Sequence, residues 1–366
     1  MKIALVYDRV NKFGGAERVL KAFHQIFPKA PLYTAVYNKK TTPWANNFDI
    51  HPSFLNKFPL AKSHHELYPL LTTLAFESFD FSDYDLVISI TSAEAKAVIT
   101  HPKTLHLCYC LTPTRYLWSH KTQYLNHPGL GPWSHLGKLV FKFSKQYLKQ
   151  VDLITSSRPD QYLAISKAVQ KRIKKYYYRD SKIIHPPVNT ANFYHNKPKD
   201  YYLLVSRLVP YKNIDIAIKA FNKLNKKLVI IGIGRELKNL KKLANSNISF
   251  LGKVSDLKLA DYYSYCRALI MPQEEDFGLV SLEAQSSGKP VIALNQGGAK
   301  DTVINNKTGI LFNQATVDSL IKAVKQFNTL NWNHLFIQKN AKKFDTKIFQ
   351  SKIKNFVEEQ WQIKNQ

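Results

Sequence analysis

Two successive alternations of short apolar runs with helix-length segments predict an α/β chain of two doubly wound, Rossmann-like halves. Three observations carry this. In the first half, Ile3–Tyr7, Leu32–Tyr37, Asp85–Ile90, Leu105–Cys110 and Gln161–Ser166 are strand-like, and Ala16–Phe27 and a basic stretch after Ser166 are helix-like. Short runs spaced by helical connections specify a parallel sheet covered on both faces. The second half repeats the pattern: Tyr201–Ser206, a helix over Asn213–Leu224, Lys227–Gly232, a helix over Arg235–Ala244, Ile248–Gly252, a helix over Leu257–Tyr265, Ala268–Pro272, a helix opening near Gly278, Pro290–Leu294 and Ile310–Phe312. Between the halves, Tyr194–Asp200 contains Asn196-Lys197-Pro198-Lys199 and has no apolar periodicity, so it reads as a linker. The expected division is residues 1–196, residues 197–345 and a closing helical segment 346–366, with everything after Gln314 helical. In such a pair of halves the ligand cleft lies outside the carboxyl ends of the strands.

Composition narrows the class. A length of 366 residues with 45% hydrophobic content is enough for two buried cores. The opening MKIALVYD runs into a strand too short for a signal peptide, and no apolar run approaches the ~18 residues of a membrane span. Retention in the cytosol is the expectation. Cys108, Cys110 and Cys266 are too few for a disulfide framework and read as structural thiols, with metal ligation as the alternative. A net charge of +27 favours polyanionic partners, nucleic acid or an anionic lipid surface, although a Lys- and Asn-rich genome would give the same excess.

The most informative stretch is EEDFGLVSLEAQSSGKPVIA, from Glu274 to Ala293. Glu275 falls in a loop after a strand, while Glu283 falls within the helix opening near Gly278. Two acids at different depths can therefore grip one ligand. Between them Phe277, Gly278 and Leu279 bring unpaired amides to the helix start, where an anionic group such as a diphosphate is favoured. Arg207 and Lys212 follow the run Tyr202–Val205 and fall at the same carboxyl edge. Gly14-Gly15 follows the first strand and Gly232-Ile233-Gly234 follows Lys227–Ile231, but neither forms the G-x-G-x-x-G fingerprint. Gly232 reads as a turn beside a nucleotide or as a purely structural turn.

These residues resemble the retaining group 1 glycosyltransferases of GT-B architecture. The likeness rests on Glu275 and Glu283 with seven residues between them, the Phe-Gly-Leu after the first acid, Gly288-Lys289-Pro290-Val291-Ile292 after the second, Gly14-Gly15-Ala16-Glu17, Cys108–Trp118, His185–Thr190, Ser206–Lys212 and Gly297-Gly298-Ala299. Glu274-Glu275-Asp276, Thr112–Tyr116 and Ser206–Lys212 are most similar to the branch using GDP-mannose.

What the resemblance implies is a transferase moving a hexose, mannose from GDP-mannose, to a lipid-linked or glycan acceptor, without a cofactor or metal. It also implies that the last helix returns to the first domain. Arg207 and Lys212 would stabilise the departing diphosphate, Glu275 would meet hydroxyls of the moving sugar and Glu283 those of the ribose. Gly14 and Gly15 would approach the diphosphate from the opposite domain, and Arg115 is an acceptor-side or phosphate contact unless it is a structural ion pair. One departure concerns Leu111, where the branch commonly has histidine; neither His101 nor His106 inherits that role by position. Asp83-Tyr84-Asp85 imitates a metal-binding Asp-x-Asp but precedes its strand. The alternatives are the same fold with a UDP-sugar donor, a nucleotide-sugar epimerase, and a non-catalytic basic adaptor binding membrane or RNA.

A last signal is the stretch Leu111–Val151, with no acid, six Lys or Arg and seven aromatics. Lys138, Lys142, Lys145 and Lys149 recur at helical spacing, with Leu136, Val140, Phe143 and Tyr147 expected on another face and Trp118 and Trp133 flanking. Such a helix suits the surface of an anionic membrane, here the inner face of the cell membrane. A second basic run, Lys171-Arg172 with Lys174-Lys175 before Tyr176-Tyr177-Tyr178, extends it. The other reading is an ordinary helix packed on the sheet with solvated lysines.

Overall fold

The computed structural model describes residues 1–119 and 134–366, with side chains resuming at Ser144 after the interval. The chain divides into two compact units: Met1–His185 with Gln350–Gln366, and Pro186–Phe349.

In the first unit the described strands are β1 (Ile3–Tyr7), β2 (Leu32–Thr34), β3 (Ile50–Pro52), β4 (Leu86–Thr91), β5 (Leu105–Cys110), β6 (Gln161–Ala164) and β7 (Lys182–Ile183). They form one sheet in the order 3-2-1-4-5-6-7, and every pairing is parallel. All six residues of β4 and of β5 are buried, as expected of central strands covered on both faces. The helices are α1 (Gly15–Ile26), α2 (Pro69–Glu77), α3 (Ser134–Thr155) and α4 (Lys167–Tyr177).

The second unit holds β8 (Tyr202–Val205), β9 (Leu228–Ile231), β10 (Ile248–Gly252), β11 (Leu269–Met271), β12 (Val291–Leu294) and β13 (Gly309–Phe312), in the order 10-9-8-11-12-13 and again parallel. Its helices are α5 (Ile214–Leu224), α6 (Leu237–Leu243), α7 (Asp256–Tyr265), α8 (Leu279–Ser286), α9 (Ala299–Thr302), α10 (Val317–Phe327) and α11 (His334–Lys342). Side chains alternate between two cores, as the strand period demands. Tyr202, Leu204, Ile270 and Ile292 pack with Phe221 of α5 and Leu320 of α10, while Leu203, Leu269, Met271 and Val291 pack with Tyr263 of α7 and Ala284 of α8.

The change of unit falls at His185/Pro186, ahead of the polar segment read as a linker. That segment is fastened to the second unit instead: Asn196 N donates to Ser264 O at 3.3 Å and Lys199 N to Tyr265 O at 2.8 Å. The closing helix α12 (Thr346–Lys364) joins the first unit from Gln350 onward. There Lys364 reaches Asp160 at 2.8 Å, Lys182 reaches Glu359 at 3.1 Å and Gln350 meets Gln25 at 3.1 Å. The stretch after Gln314 is not wholly helical, because residues 328–333 break it before α11.

Candidate functional site

At the carboxyl ends of β8 and β11 the second unit assembles a charged cluster. The chain leaves β8 through Ser206-Arg207 and enters a 3-10 turn over Pro210–Lys212. This turn places Lys212, 6% exposed, against Glu275 in an ion pair. Gln273, at the end of β11, donates from Nε2 to the same Glu275 Oε1 at 2.9 Å. Among the described residues, Glu275 Oε2 accepts no hydrogen bond. Arg207, which is exposed, is hydrogen-bonded to the Tyr211 hydroxyl, and the Tyr211 ring lies 5.2 Å from the Lys212 ammonium. Tyr211 therefore links both cations. Neither Tyr211 nor Gln273 was singled out from sequence, although both sit beside residues that were.

The loop after β11 turns at Gly278, whose φ of +89° favours glycine, and α8 begins at Leu279. Phe277 sends its ring inward to Phe344, 5.8 Å away, so this residue can offer a ligand only its main chain. Glu283, in the middle of α8, is 3% exposed and accepts from the Tyr263 hydroxyl at 2.8 Å. Glu274 is exposed and Asp276 buried.

Glycines explain why the loops meet. Gly232, at φ +145°, lies so close to the neighbouring loop that a Cβ there would come 1.8 Å from Ser206 O. A Cβ on Gly234 would come 2.1 Å from Leu208 O. Leu208 N donates to Ile233 O at 2.9 Å, so the Arg207 loop rests directly on glycine backbone. On the other side a Cβ on Gly297 would meet Glu275 O at 2.1 Å and one on Gly298 would meet Phe277 O at 2.5 Å. Gly232 and Gly298 thus hold up the two charged loops.

The first unit has its own buried charges at the carboxyl ends of β1 and β4. Asp8 accepts from Thr91 Oγ1 at 2.7 Å, Ser92 N at 2.7 Å and Ala95 N at 3.0 Å. Arg9 pairs with Glu94 at 2.6 Å, and Tyr116 also donates to Glu94. Lys96, 1% exposed, pairs with Asp152 of α3 at 2.5 Å. Asp152 additionally accepts from Thr114 at 2.7 Å, Trp118 Nε1 at 2.6 Å and Tyr177 at 2.9 Å. Burial alone would push the Lys96 ammonium down, but Asp152, aided by Glu94, holds it above the ordinary lysine range.

Gly14 caps α1 in an extended conformation any residue adopts, but a Cβ would come 3.3 Å from the Glu17 carboxylate; Gly15 is the first residue of α1. Arg115 is half-buried within the Thr112–Trp118 segment. His106 is wholly buried in β5 beside Ser89 at 2.9 Å, and burial pushes its imidazole down to about 3. Cys108, Cys110 and Cys266 are buried free thiols, and burial raises Cys108 and Cys266 to about 12. Asp83 and Asp85 lie at the amino end of β4, bound to Lys2 at 3.4 and 2.6 Å.

Helix α3 buries one stripe of side chains and exposes another. Leu148, Asp152 and Thr155 are buried, whereas Tyr147 is 58% and Ile154 64% exposed. The buried stripe follows the helical period from Leu148, and its centre is an acid that needs Lys96 rather than an apolar residue. Lys149 covers the Trp118 ring at 4.5 Å, and Lys145 is half-buried. Trp133 and the side chains of Leu136, Lys138, Val140, Lys142 and Phe143 lie outside the described residues. In the second basic run Tyr177 is buried on Asp152, Tyr176 stacks on Trp118 at 5.1 Å and Tyr178 is 75% exposed. No described helix is long and apolar enough to cross a membrane.

Known proteins resemble this chain in two ways. Residues 189–344 match the profile of the family described as glycosyl transferases group 1. A GDP-mannose-dependent alpha-(1-6)-phosphatidylinositol monomannoside mannosyltransferase of Mycobacterium tuberculosis is 35% identical over 140 residues, 33% of this chain and 36% of that one. The Alpha-1,3/1,6-mannosyltransferase ALG2 of Candida glabrata is 25% identical over 279 residues, 59% and 60% of the two chains. The chain thus spans only 36% and 60% of these curated relatives. Among solved structures, Anabaena Alr3699/HepE in complex with UDP superposes with a TM-score of 0.73 over 98% of this chain and all of that one, at 18% identity. Together with the two parallel sheets, this likeness establishes the fold as GT-B.

Proposed function

We propose that this chain, whose residues 189–344 match the group 1 glycosyl transferases, moves mannose from GDP-mannose with retention of configuration to a lipid-linked or glycan acceptor. The observation that carries the reading is the assembly of Arg207, Tyr211, Lys212 and Glu275 at the strand ends, with Glu275 Oε2 unbonded among the described residues. As the anomeric bond to the diphosphate breaks, negative charge grows on the leaving oxygens, and Arg207 and Lys212 are the cations to stabilise it. They serve in place of a divalent metal. The main chain of Phe277, Gly278 and Leu279 meets the phosphates at the start of α8. Glu275 Oε2 accepts from a sugar hydroxyl, and Glu283, held by Tyr263, accepts from the ribose.

For proton transfer, front-face displacement suffices. The acceptor oxygen bonds to the anomeric carbon on the face the diphosphate leaves, and its proton passes to the departing phosphate oxygen. His106 does not serve as base, because it is sealed between strands, and the position after Cys110 is the buried Leu111. The names of both relatives support mannose as the transferred sugar, and that of the Mycobacterium tuberculosis protein supports GDP-mannose as donor. The half-buried Lys145 and Lys149 beside exposed Tyr147 and Ile154 support a peripheral position on the inner face of the membrane.

The deciding experiment is a thermal-shift series with GDP, GDP-mannose, GDP-glucose, UDP and UDP-glucose, followed by transfer of labelled mannose to membrane lipid extracts. A ligand at a hundred times its Kd adds about 2.7 kcal/mol of stability. Stabilisation by the guanine nucleotides alone, with lipid-soluble label, is the expected result; stabilisation by UDP and UDP-glucose alone overturns the donor assignment.

A further inference from the structure

The second unit contains a cavity on the sheet edge opposite the charged cluster. Asp200 precedes β8, Arg267 precedes β11 and Pro290 precedes β12, so their common pocket opens at the amino ends of the strands. Its volume of about 540 Å³ lies within the range of small-molecule sites.

One wall is cationic. Lys289 is 1% exposed and donates to Asn196 O at 2.6 Å, yet no carboxylate pairs with it among the described residues. A buried ammonium without a counter-charge is costly, and an anion in the cavity would relieve that cost. Burial lowers the Lys289 ammonium to about 8, which still leaves it mostly charged at neutral pH. Beside it His195 and His334 stack face to face, centroids 4.1 Å apart and 6° from parallel. Because a carbonyl only accepts, His195 Nδ1 is the donor to Ser287 O at 3.2 Å, and Nε2 is left for a ligand. The stack needs Gly288: at φ +68° a Cβ there would come 3.0 Å from His195 Nδ1 and from His334 Cβ. Arg267 is fixed by Asn328 at 2.9 Å and Asp200 at 3.6 Å.

The other wall is flat and apolar. Trp332 stacks on Phe327 at 5.2 Å and 16°, and its Nε1 is anchored to Phe327 O at 3.1 Å. We propose that this cavity is a second ligand site, which takes a small phosphomonoester carrying a ring or similar flat body: the phosphate meets Lys289, Arg267 and the histidine pair, and the flat body lies on Trp332.

The test uses the full chain and phenyl phosphate, followed through the ring carbon-bound proton signals of His195 and His334. A saturable shift is expected, with inorganic phosphate binding at least severalfold more weakly for lack of the flat body. Lys289→Met should weaken phenyl phosphate about tenfold or more, the loss expected for a hydrogen bond to a charged group. If that variant does not fold, Arg267→Gln, at a partly exposed position, should still weaken it severalfold. Saturating GDP should not displace the compound. Shifts that never saturate, equal affinity for inorganic phosphate, unchanged affinity in a folded variant, or displacement by GDP would each overturn the proposal.

Discussion

Both units place a lysine–carboxylate pair behind the carboxyl ends of their central strands, and the two pairs are built for different purposes. Lys96 and Asp152 are 1% and 5% exposed, and Asp152 is saturated by Thr114, Trp118 and Tyr177. Lys212 and Glu275 form an equally intimate pair, but the exposed Arg207 stands beside it and Glu275 keeps one oxygen without a hydrogen bond among the described residues. The first pair has no capacity left for a ligand and fastens helix α3 and the Thr114–Trp118 segment to the loop after β4. The second has capacity left. Ion pairing and position at a strand end are common to both, so what separates scaffold from site is how many of the carboxylate's acceptor positions the protein itself has filled.

This contrast can be broken most severely in the first unit. Asp152→Ala strands a buried ammonium and should cost about 3–5 kcal/mol of stability, read as a large fall in the urea midpoint. A variant as stable as the parent would mean the pair is not the fastening described. Lys212→Ala should do the opposite, lowering kcat about 10²–10³-fold with little change in melting temperature. Turnover near that of the parent would remove Lys212 from the diphosphate.

A smaller effect sharpens the comparison within the second unit. Glu283→Ala should weaken GDP by about 1.5–3 kcal/mol in titration calorimetry, the range for a hydrogen bond to a charged group. Glu275→Gln should leave GDP affinity unchanged and lower turnover. Equal GDP affinity in Glu283→Ala and the parent would sink the ribose assignment. Smallest per residue is the membrane term, about 1 kcal/mol for each lysine near an anionic surface, fading beyond a screening length of about 10 Å at 0.1 M salt. Replacing Lys138, Lys142, Lys145 and Lys149 by Gln should release the protein from phosphatidylglycerol vesicles in sedimentation without changing GDP affinity. Undiminished sedimentation would make α3 an ordinary solvated helix.

The strands most legible from sequence were those with continuous apolar runs, such as Leu105–Cys110 and Val291–Leu294, because burial on both faces leaves no other composition open. Short edge strands such as β3, Ile-His-Pro, escaped since three residues carry no period. Glu275, Glu283, Arg207 and Lys212 were marked by their spacing within one local motif. Their partners were less visible: Tyr263 reaches Glu283 from 20 positions away, and Asp152 finds Lys96 from 56 away, relations fixed only by the packed sheet. Tyr147 was placed on a face apart from the lysines, but apolar spacing could not show that the buried face of its helix is centred on an ion pair.

The contact of Gly297 and Gly298 with the main chain of Glu275 and Phe277 has a practical consequence for engineering. Selectivity for the transferred sugar would ordinarily be sought by varying the residues around Glu275, and exposed Glu274 offers room for that. Libraries that include positions 297 and 298 would return mostly inactive clones, because any side chain there would have to occupy space already filled by the backbone carrying the acid. The adjustable part of the pocket and its fixed frame are thus separated by two missing methyl groups.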